Sequence, residues 1–383
     1  MKGLSEKIIS FAQELIQIPS QNGIDGEREV AQLVFSRLQE LGFQPELIGD
    51  EERPSVICYI KKREGAKTIW FEACTDTVPS GSLALWDDDP FSGKLEDGKL
   101  YGLGAADCKV AVATFVYLAK KLYEDPEFDA NIFLGFDADE QAGWFSGARD
   151  VLRHAPEADV CILGYQGMDD SLIGARGWSR FTIQTNGKAQ HTGSRFPMGV
   201  NAIHAMGKVI FALQGLKLKA SKDPYFWFGP SMNVVQIDGG TAINVVPENC
   251  TIEIDVRLIP GQTEEDVERQ IKKLLQKVSK KGRVFQYDIS VNQGELAYLS
   301  DPKHPFVKIL KKTAESVLGR EVPLVASGYG CVGNILQTSR MPIINGFGCP
   351  GGNLNGANEW VDVSKLPTVI EIYTKTLKKY LQK

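Results

Sequence analysis

Long apolar runs are missing from this chain. No stretch approaches the roughly 18 consecutive apolar residues that a membrane-spanning helix needs, so no membrane span is expected. Excess positive charge is missing too: 43 Lys and Arg stand against 48 Asp and Glu, for a net charge of −5. A mildly acidic chain carries no electrostatic footprint for nucleic acid. The seven cysteines are odd in number and scattered without close pairs, which excludes a disulfide framework and points to reduced thiols in the cytoplasm. The opening MKGLSEKIISFAQELIQI is charged and helically periodic, unlike a signal peptide. Histidine is scarce, at four residues (His154, His191, His204, His304). What is present is 43% hydrophobic and 24% charged residues over 383 positions, which suits two ordinary globular domains and excludes disordered, collagen-like or coiled-coil chains.

Leu4, Ile8, Phe11, Leu15 and Ile16 form a helical stripe, and Val30, Leu33, Val34, Leu38 and Leu41 form another over Glu27–Leu41. Strand-length apolar runs follow at Ser55–Ile60, Thr68–Glu72, Ala130–Phe136 and Asp159–Leu163, with helical patterns at Val110–Tyr123 and Ser146–His154 between them. Alternation of this kind predicts an α/β domain with a mostly parallel, helix-covered sheet. After Gly174 the pattern changes. Ser179–Thr185, Met232–Ile237 and Cys250–Leu258 alternate like half-exposed strands, and Asn201–Leu213 and Glu264–Val278 read as helices. That β-α-β-β-α order predicts an inserted α+β unit. Apolar runs resume at Val322–Val325 and Pro342–Ile344, and a helix closes the chain at Thr368–Leu381. The expected division is a discontinuous domain, 1–175 with 292–383, and an insertion, 176–291.

Three polar clusters lie just past expected strands, where open α/β sheets hold ligands. They are Glu72–Pro79, Tyr101–Lys109 and Asp137–Gly143. Their order resembles the zinc-dependent aminoacylase and carboxypeptidase family, which includes acetylornithine deacetylase and succinyl-diaminopimelate desuccinylase. That family carries G-H-x-D-x-V-P, W-x-x-x-P-F, Y-G-R-G-x-x-D-x-K-G, D-E-E-x-G, G-E-P and H-x-x-N-E. The corresponding residues here are Cys74-Thr75-Asp76-Thr77-Val78-Pro79, Trp86 with Pro90-Phe91, and Tyr101-Gly102-Leu103-Gly104 running to Asp107 and Lys109. They continue as Asp139-Glu140-Gln141-Ala142-Gly143, Gly164-Tyr165-Gln166 and Asn355-Gly356-Ala357-Asn358-Glu359. The insertion matches through Arg176-Gly177, His191, Asn201-Ala202-Ile203, Asn244-Val245-Val246-Pro247 and Arg257.

The resemblance covers nearly the whole chain. It implies a zinc-exopeptidase-like α/β domain and a ferredoxin-like inserted domain through which two copies pair. It also implies two zinc ions on five protein ligands, one a bridging Asp. Here the bridging position keeps Asp107, while the other four hold Cys74, Gln141, Tyr165 and Asn355. A thiolate and a carboxylate suit zinc, whereas carboxamides offer only neutral oxygens, so the two-zinc centre is not expected. One divalent metal (zinc, manganese or cobalt) on Asp107 and Cys74 is the remaining possibility. Glu140 matches the general base, Asp76 the carboxylate behind the first ligand, His191 an oxyanion donor, and Asn244 and Arg257 the holders of a substrate carboxylate. Gly351 and Gly352 lie in a Gly-rich loop, Gly346–Gly356, open to close backbone approach.

Plainer readings stand beside these. Cys74 can be a small buried hydrophobe, Asp107 a cap for Val110–Tyr123, and Asp139 or Glu140 a cap for a helix near Phe145. His191 can serve its polar loop, Ala189–Ser194, and Arg257 an ion pair. Asp87, Asp88 and Asp89 read as surface. Cys108, Cys331 and Cys349 fall in or near Gly-rich motifs and can gather as thiols, without the spacing of a zinc knuckle. Two functions remain open. One is hydrolysis of the amide bond in N-acyl amino acids or small peptides at an altered, at most mononuclear, metal site. The other is a metal-free, non-catalytic homologue that binds a carboxylate- or peptide-like ligand. Cys74 as a nucleophile is disfavoured, because Asp76, Asp107 and Glu140 would raise its pKa.

Overall fold

The structure, a computed structural model, describes residues 2–196, 198–280 and 286–382. It divides into two units, Met1–Gly174 with Leu299–Ser327 and Cys331–Lys383, and Ala175–Tyr298 with Gly328–Gly330.

The first unit is built on a six-stranded sheet in the order Glu46–Gly49, Pro54–Ile60, Asn131–Asp137, Thr68–Cys74, Val160–Leu163, Ile343–Asn345. The last four are mutually parallel. The first two are antiparallel to their neighbours. The cause of that departure is local. Only 50–53 separate the first two strands, and the Asp50 carboxylate accepts from Glu52 N and Arg53 N at 2.9 and 3.0 Å, closing a tight turn. So short a link permits only a hairpin. Thr68–Cys74 and Asn131–Asp137 are buried along their full lengths, as strands covered on both faces must be. Ile8, Phe11, Ala12, Leu15 and Ile16 of the helix Lys2–Gln17 are all fully buried, as the stripe predicts.

Register decides where chemistry can sit. Cys74, the last residue of its strand, pairs with Asp137, and Glu72 pairs with Leu163. Three parallel strands thus deliver the segments after Cys74, Asp137 and Leu163 to one edge of the sheet. Beneath that edge, Phe71 and Phe115 stack with ring centroids 4.9 Å apart, and Phe115 meets Tyr373 at 6.2 Å.

The second unit is a four-stranded antiparallel sheet ordered Ser231–Gly239, Asn249–Leu258, Gly177–Asn186, Gln286–Glu295. With the helices Ala202–Gln214 and Glu264–Lys280 on one face it makes a ferredoxin-like β-α-β-β-α-β unit. Asn249–Leu258 alternates between buried and half-buried residues, and its inward Ile252, Ile254 and Val256 pack with Met206, Val209, Val267 and Ile271. The final strand alternates Tyr287, Ile289 and Val291 towards the core, a short period-two pattern absent from the strands expected from sequence.

Among the described residues no helix is long and apolar enough to cross a membrane.

Two outcomes follow from this packing. Phe71→Ala removes a fully buried ring from the centre of the sheet, and chemical denaturation should register a loss of about 3–5 kcal/mol. Glu27, at the head of the helix Arg28–Glu40, is fully buried and accepts from Asp139 N at 2.9 Å. Burial, and then the nearby Asp76, push its carboxyl up to about 8. The folded chain therefore holds a proton that the unfolded chain releases near its ordinary value. The stability this provides is complete at low pH and is lost as pH rises towards 8. Melting temperatures across that range should fall more steeply for the native chain than for Glu27→Gln, whose side chain cannot ionise.

Candidate active site

The first unit gathers Cys74, Asp76, Asp107, Glu140, Gln141, Tyr165 and Asn355 at the carboxyl edge of its sheet. Asp107 lies in the segment Ala105–Lys109, which turns sharply after Gly104 (φ 78°) and contains a cis peptide between Asp107 and Cys108. A side chain at 104 would bring its Cβ within 2.5 Å of Thr77, so glycine is required. Glu359 fixes this segment from below. Fully buried, it accepts from Gly104 N, Ala106 N and Asp107 N at 3.1, 2.7 and 3.2 Å. Burial still pushes its carboxyl up to about 7. The helix Val110–Glu124 starts without any side-chain cap, so Asp107 is left to the site. Asp139, by contrast, accepts from Ser146 Oγ at 2.5 Å at the start of Ser146–His154 and pairs with Arg53 at 2.8 Å.

Hydrogen bonds close the cluster on itself. Gln141 Nε2 donates to Cys74 Sγ at 3.8 Å, and Asn355 Nδ2 donates to Gln141 Oε1 at 3.3 Å and Asp107 Oδ2 at 3.4 Å. Asp107 Oδ1 accepts from Cys108 Sγ at 2.8 Å and stands 4.0 Å from Cys74 Sγ. Tyr165 Oη donates to Glu140 Oε1 at 3.0 Å. Asp76 accepts from Glu140 N, Gln141 N and Asn22 Nδ2 at 3.2, 2.9 and 2.7 Å, so it orients the loop that carries Glu140.

Burial shifts the carboxyls and thiol of the site towards their protonated forms. Burial raises Asp107 and lifts Asp76 to about 6. Burial, then Asp107 and Asp76, hold Glu140 well above the usual carboxylate range. The Cys108 thiol, burial and then Asp107 raise Cys74 well above a normal thiol, opposing a thiolate nucleophile at neutral pH. Lys109, buried with its Nζ donating to Ile18 O at 2.8 Å, is pulled down to about 7 by burial.

His191, Asn244 and Arg257 belong to the second unit. The first two share a corner of it: His191 bridges Val245, and Thr192 N donates to Asn244 O at 2.9 Å. His191 Nδ1 accepts from Gly193 N at 3.0 Å. Arg257 Nε donates to Asp255 Oδ1 at 2.7 Å, an ion pair along one strand. Gly351 N donates to Gln166 Oε1 at 2.9 Å, and a Cβ at Gly352 would come within 2.7 Å of the Trp360 ring, so internal packing accounts for both glycines.

Two residues take partners that the sequence did not assign them. Cys108 joins Cys74 and Asp107 in a group whose ligand atoms all lie within 4.8 Å of one another; Cys331 and Cys349 are not part of it. Glu359 was visible as the end of the Asn355–Glu359 motif, but its three backbone bonds needed the fold.

A succinyl-diaminopimelate desuccinylase of Dinoroseobacter shibae is 26% identical over 384 residues, covering 97% of this chain and 98% of that protein. A metallo-carboxypeptidase from Sulfolobus solfataricus superposes with a TM-score of 0.81 at 19% identity, over 98% of this chain and 100% of that one. A dinuclear metal-binding peptidase from Bacillus subtilis gives 0.73 at 18%, over 100% and 99%. Residues 70–379 match the family described as Peptidase family M20/M25/M40, and on that match over most of its length the chain belongs to this family of metallopeptidases and related amide hydrolases.

Proposed function

We propose that this chain cleaves the amide bond of small peptides or N-acyl amino acids at a site that takes at most one divalent cation. The observation that carries this reading is the closure of the five ligand positions upon one another. Gln141 and Asn355 turn N–H groups towards Cys74 and Asp107, and an N–H cannot bind a cation. Tyr165 spends its hydroxyl on Glu140. The donor set therefore does not fit a binuclear centre, while Asp107 and Cys74 remain chemically suited to a single ion. Such an ion would supply Lewis acidity and offset the buried negative charge.

The chain's own residues do the rest. Glu140, its Oε1 held by Tyr165, is the general base that takes a proton from the attacking water. Asp76 positions the Glu140–Gln141 backbone. The parts of His191 as oxyanion donor and of Asn244 and Arg257 as carboxylate holders rest on the motif resemblance, with Arg257 requiring exchange of Asp255 for substrate. Pairing of two copies through the second unit is supported by its edge strand Ser231–Gly239, where Val235 and Ile237 are more than half exposed.

A second reading, a homologue that binds such ligands without cleaving them, is favoured by the loss of charge at Gln141 and Tyr165, which relieves crowding around Asp107 and Glu140 without a cation. Turnover of a panel of N-acyl amino acids and dipeptides with zinc, manganese or cobalt separates the two. Hydrolysis should be measurable, and Glu140→Gln should lower kcat by about 10²–10⁴-fold. Binding by calorimetry with no turnover under any metal would support the second reading instead. In light scattering the native chain should run as a dimer, and Val235→Asp should run as a monomer.

A further inference from the structure

We propose that Cys108, which is not one of the five family ligand positions, completes a single soft-cation site with Cys74 and Asp107. The site would select zinc or cobalt over manganese. The inference deepens the hydrolase reading and takes from it only the place of the cation.

Three donors converge from two parts of the fold. Cys74 ends the strand Thr68–Cys74, while Asp107 and Cys108 come from the segment held by Glu359. Their ligand atoms lie within 4.8 Å of one another, and all three residues are at most 5% exposed. Donors around a tetrahedral zinc stand about 3.3–3.8 Å apart, given bonds of roughly 2.0–2.3 Å. The spacing here brackets that range: the Cys108 Sγ–Asp107 Oδ1 pair must open from 2.8 Å, and the wider pairs must close by at most about 1 Å. Cys108 Sγ and Asp107 Oδ1 already touch at 2.8 Å, through the proton that a cation would displace.

Charge and softness point the same way. Two thiolates and a carboxylate sum to −3, so a divalent ion leaves −1 on the cluster. Thiolate donors favour zinc-type ions, whereas manganese prefers oxygen. Three protein ligands also leave a position for water or substrate, the arrangement of catalytic rather than structural zinc.

The test is cobalt(II) titration of the full chain, reduced and freed of metal, followed by absorbance. One cobalt should bind per chain, with the intense near-ultraviolet thiolate-to-cobalt charge transfer and the visible bands of a tetrahedral ion. Excess manganese should not displace it. Cys108→Ser should roughly halve the charge-transfer intensity and weaken cobalt binding by about tenfold or more, whereas Cys58→Ser should change neither. The native spectrum judges the proposal even if Cys108→Ser fails to fold. Cobalt bound without charge transfer, an unchanged band in folded Cys108→Ser, two cobalt ions per chain, or a Cys74–Cys108 disulfide that forms in place of metal binding would each overturn it. A cobalt–thiolate site in a chain that turns over no substrate leaves this inference standing and removes the hydrolase reading. Turnover without such a site does the reverse.

Discussion

A buried carboxylate must be compensated, and at Asp107 the compensation comes from neutral groups. A thiol, a carboxamide and a second thiol surround its two oxygens, and burial raises its pKa. Desolvation of an unpaired charge costs several kcal/mol, and without a cation these hydrogen bonds are what offsets it. The neutral side chains of Gln141, Tyr165 and Asn355 meet that constraint. Each finds a partner inside the cluster: Gln141 with Cys74, Asn355 with Asp107, Tyr165 with Glu140.

The scaffold makes this possible by holding backbone, not only side chains. Asp76 accepts two amides of the Glu140 loop, and Glu359 accepts three from the Asp107 segment. Each is a buried carboxylate spent on shaping a loop, so the loops stay put while residues on them change. The same backbone frame superposes on that of a metallo-carboxypeptidase and a dinuclear metal-binding peptidase.

Sequence and structure agree most where burial is simplest. The central parallel strands are mostly apolar and buried throughout, and the helix stripes of Ile8, Phe11 and Leu15 read directly as core. The antiparallel edge was not legible, because its cause is a turn around Asp50 rather than a hydrophobic pattern. Nor was Gln286–Glu295, which is half-polar and pairs along its length with Gly177–Asn186. At the site, ordered motifs identified Asp76, Asp107 and Glu140. Cys108 was grouped with Cys331 and Cys349 by their Gly-rich surroundings, whereas the fold sets it beside Asp107 and Cys74, the second of which no spacing rule links to it. At Gly351 and Gly352 the Gly-rich loop also has an internal cause, the close approach of Gln166 and Trp360.

Whether the family's binuclear centre can assemble here is the central question, and anomalous diffraction from crystals grown with zinc answers it most directly. A single anomalous peak beside Asp107 and Cys74, or none, is the expected result. Two peaks flanking Asp107, with Gln141 and Asn355 turned to present oxygen, would contradict the account.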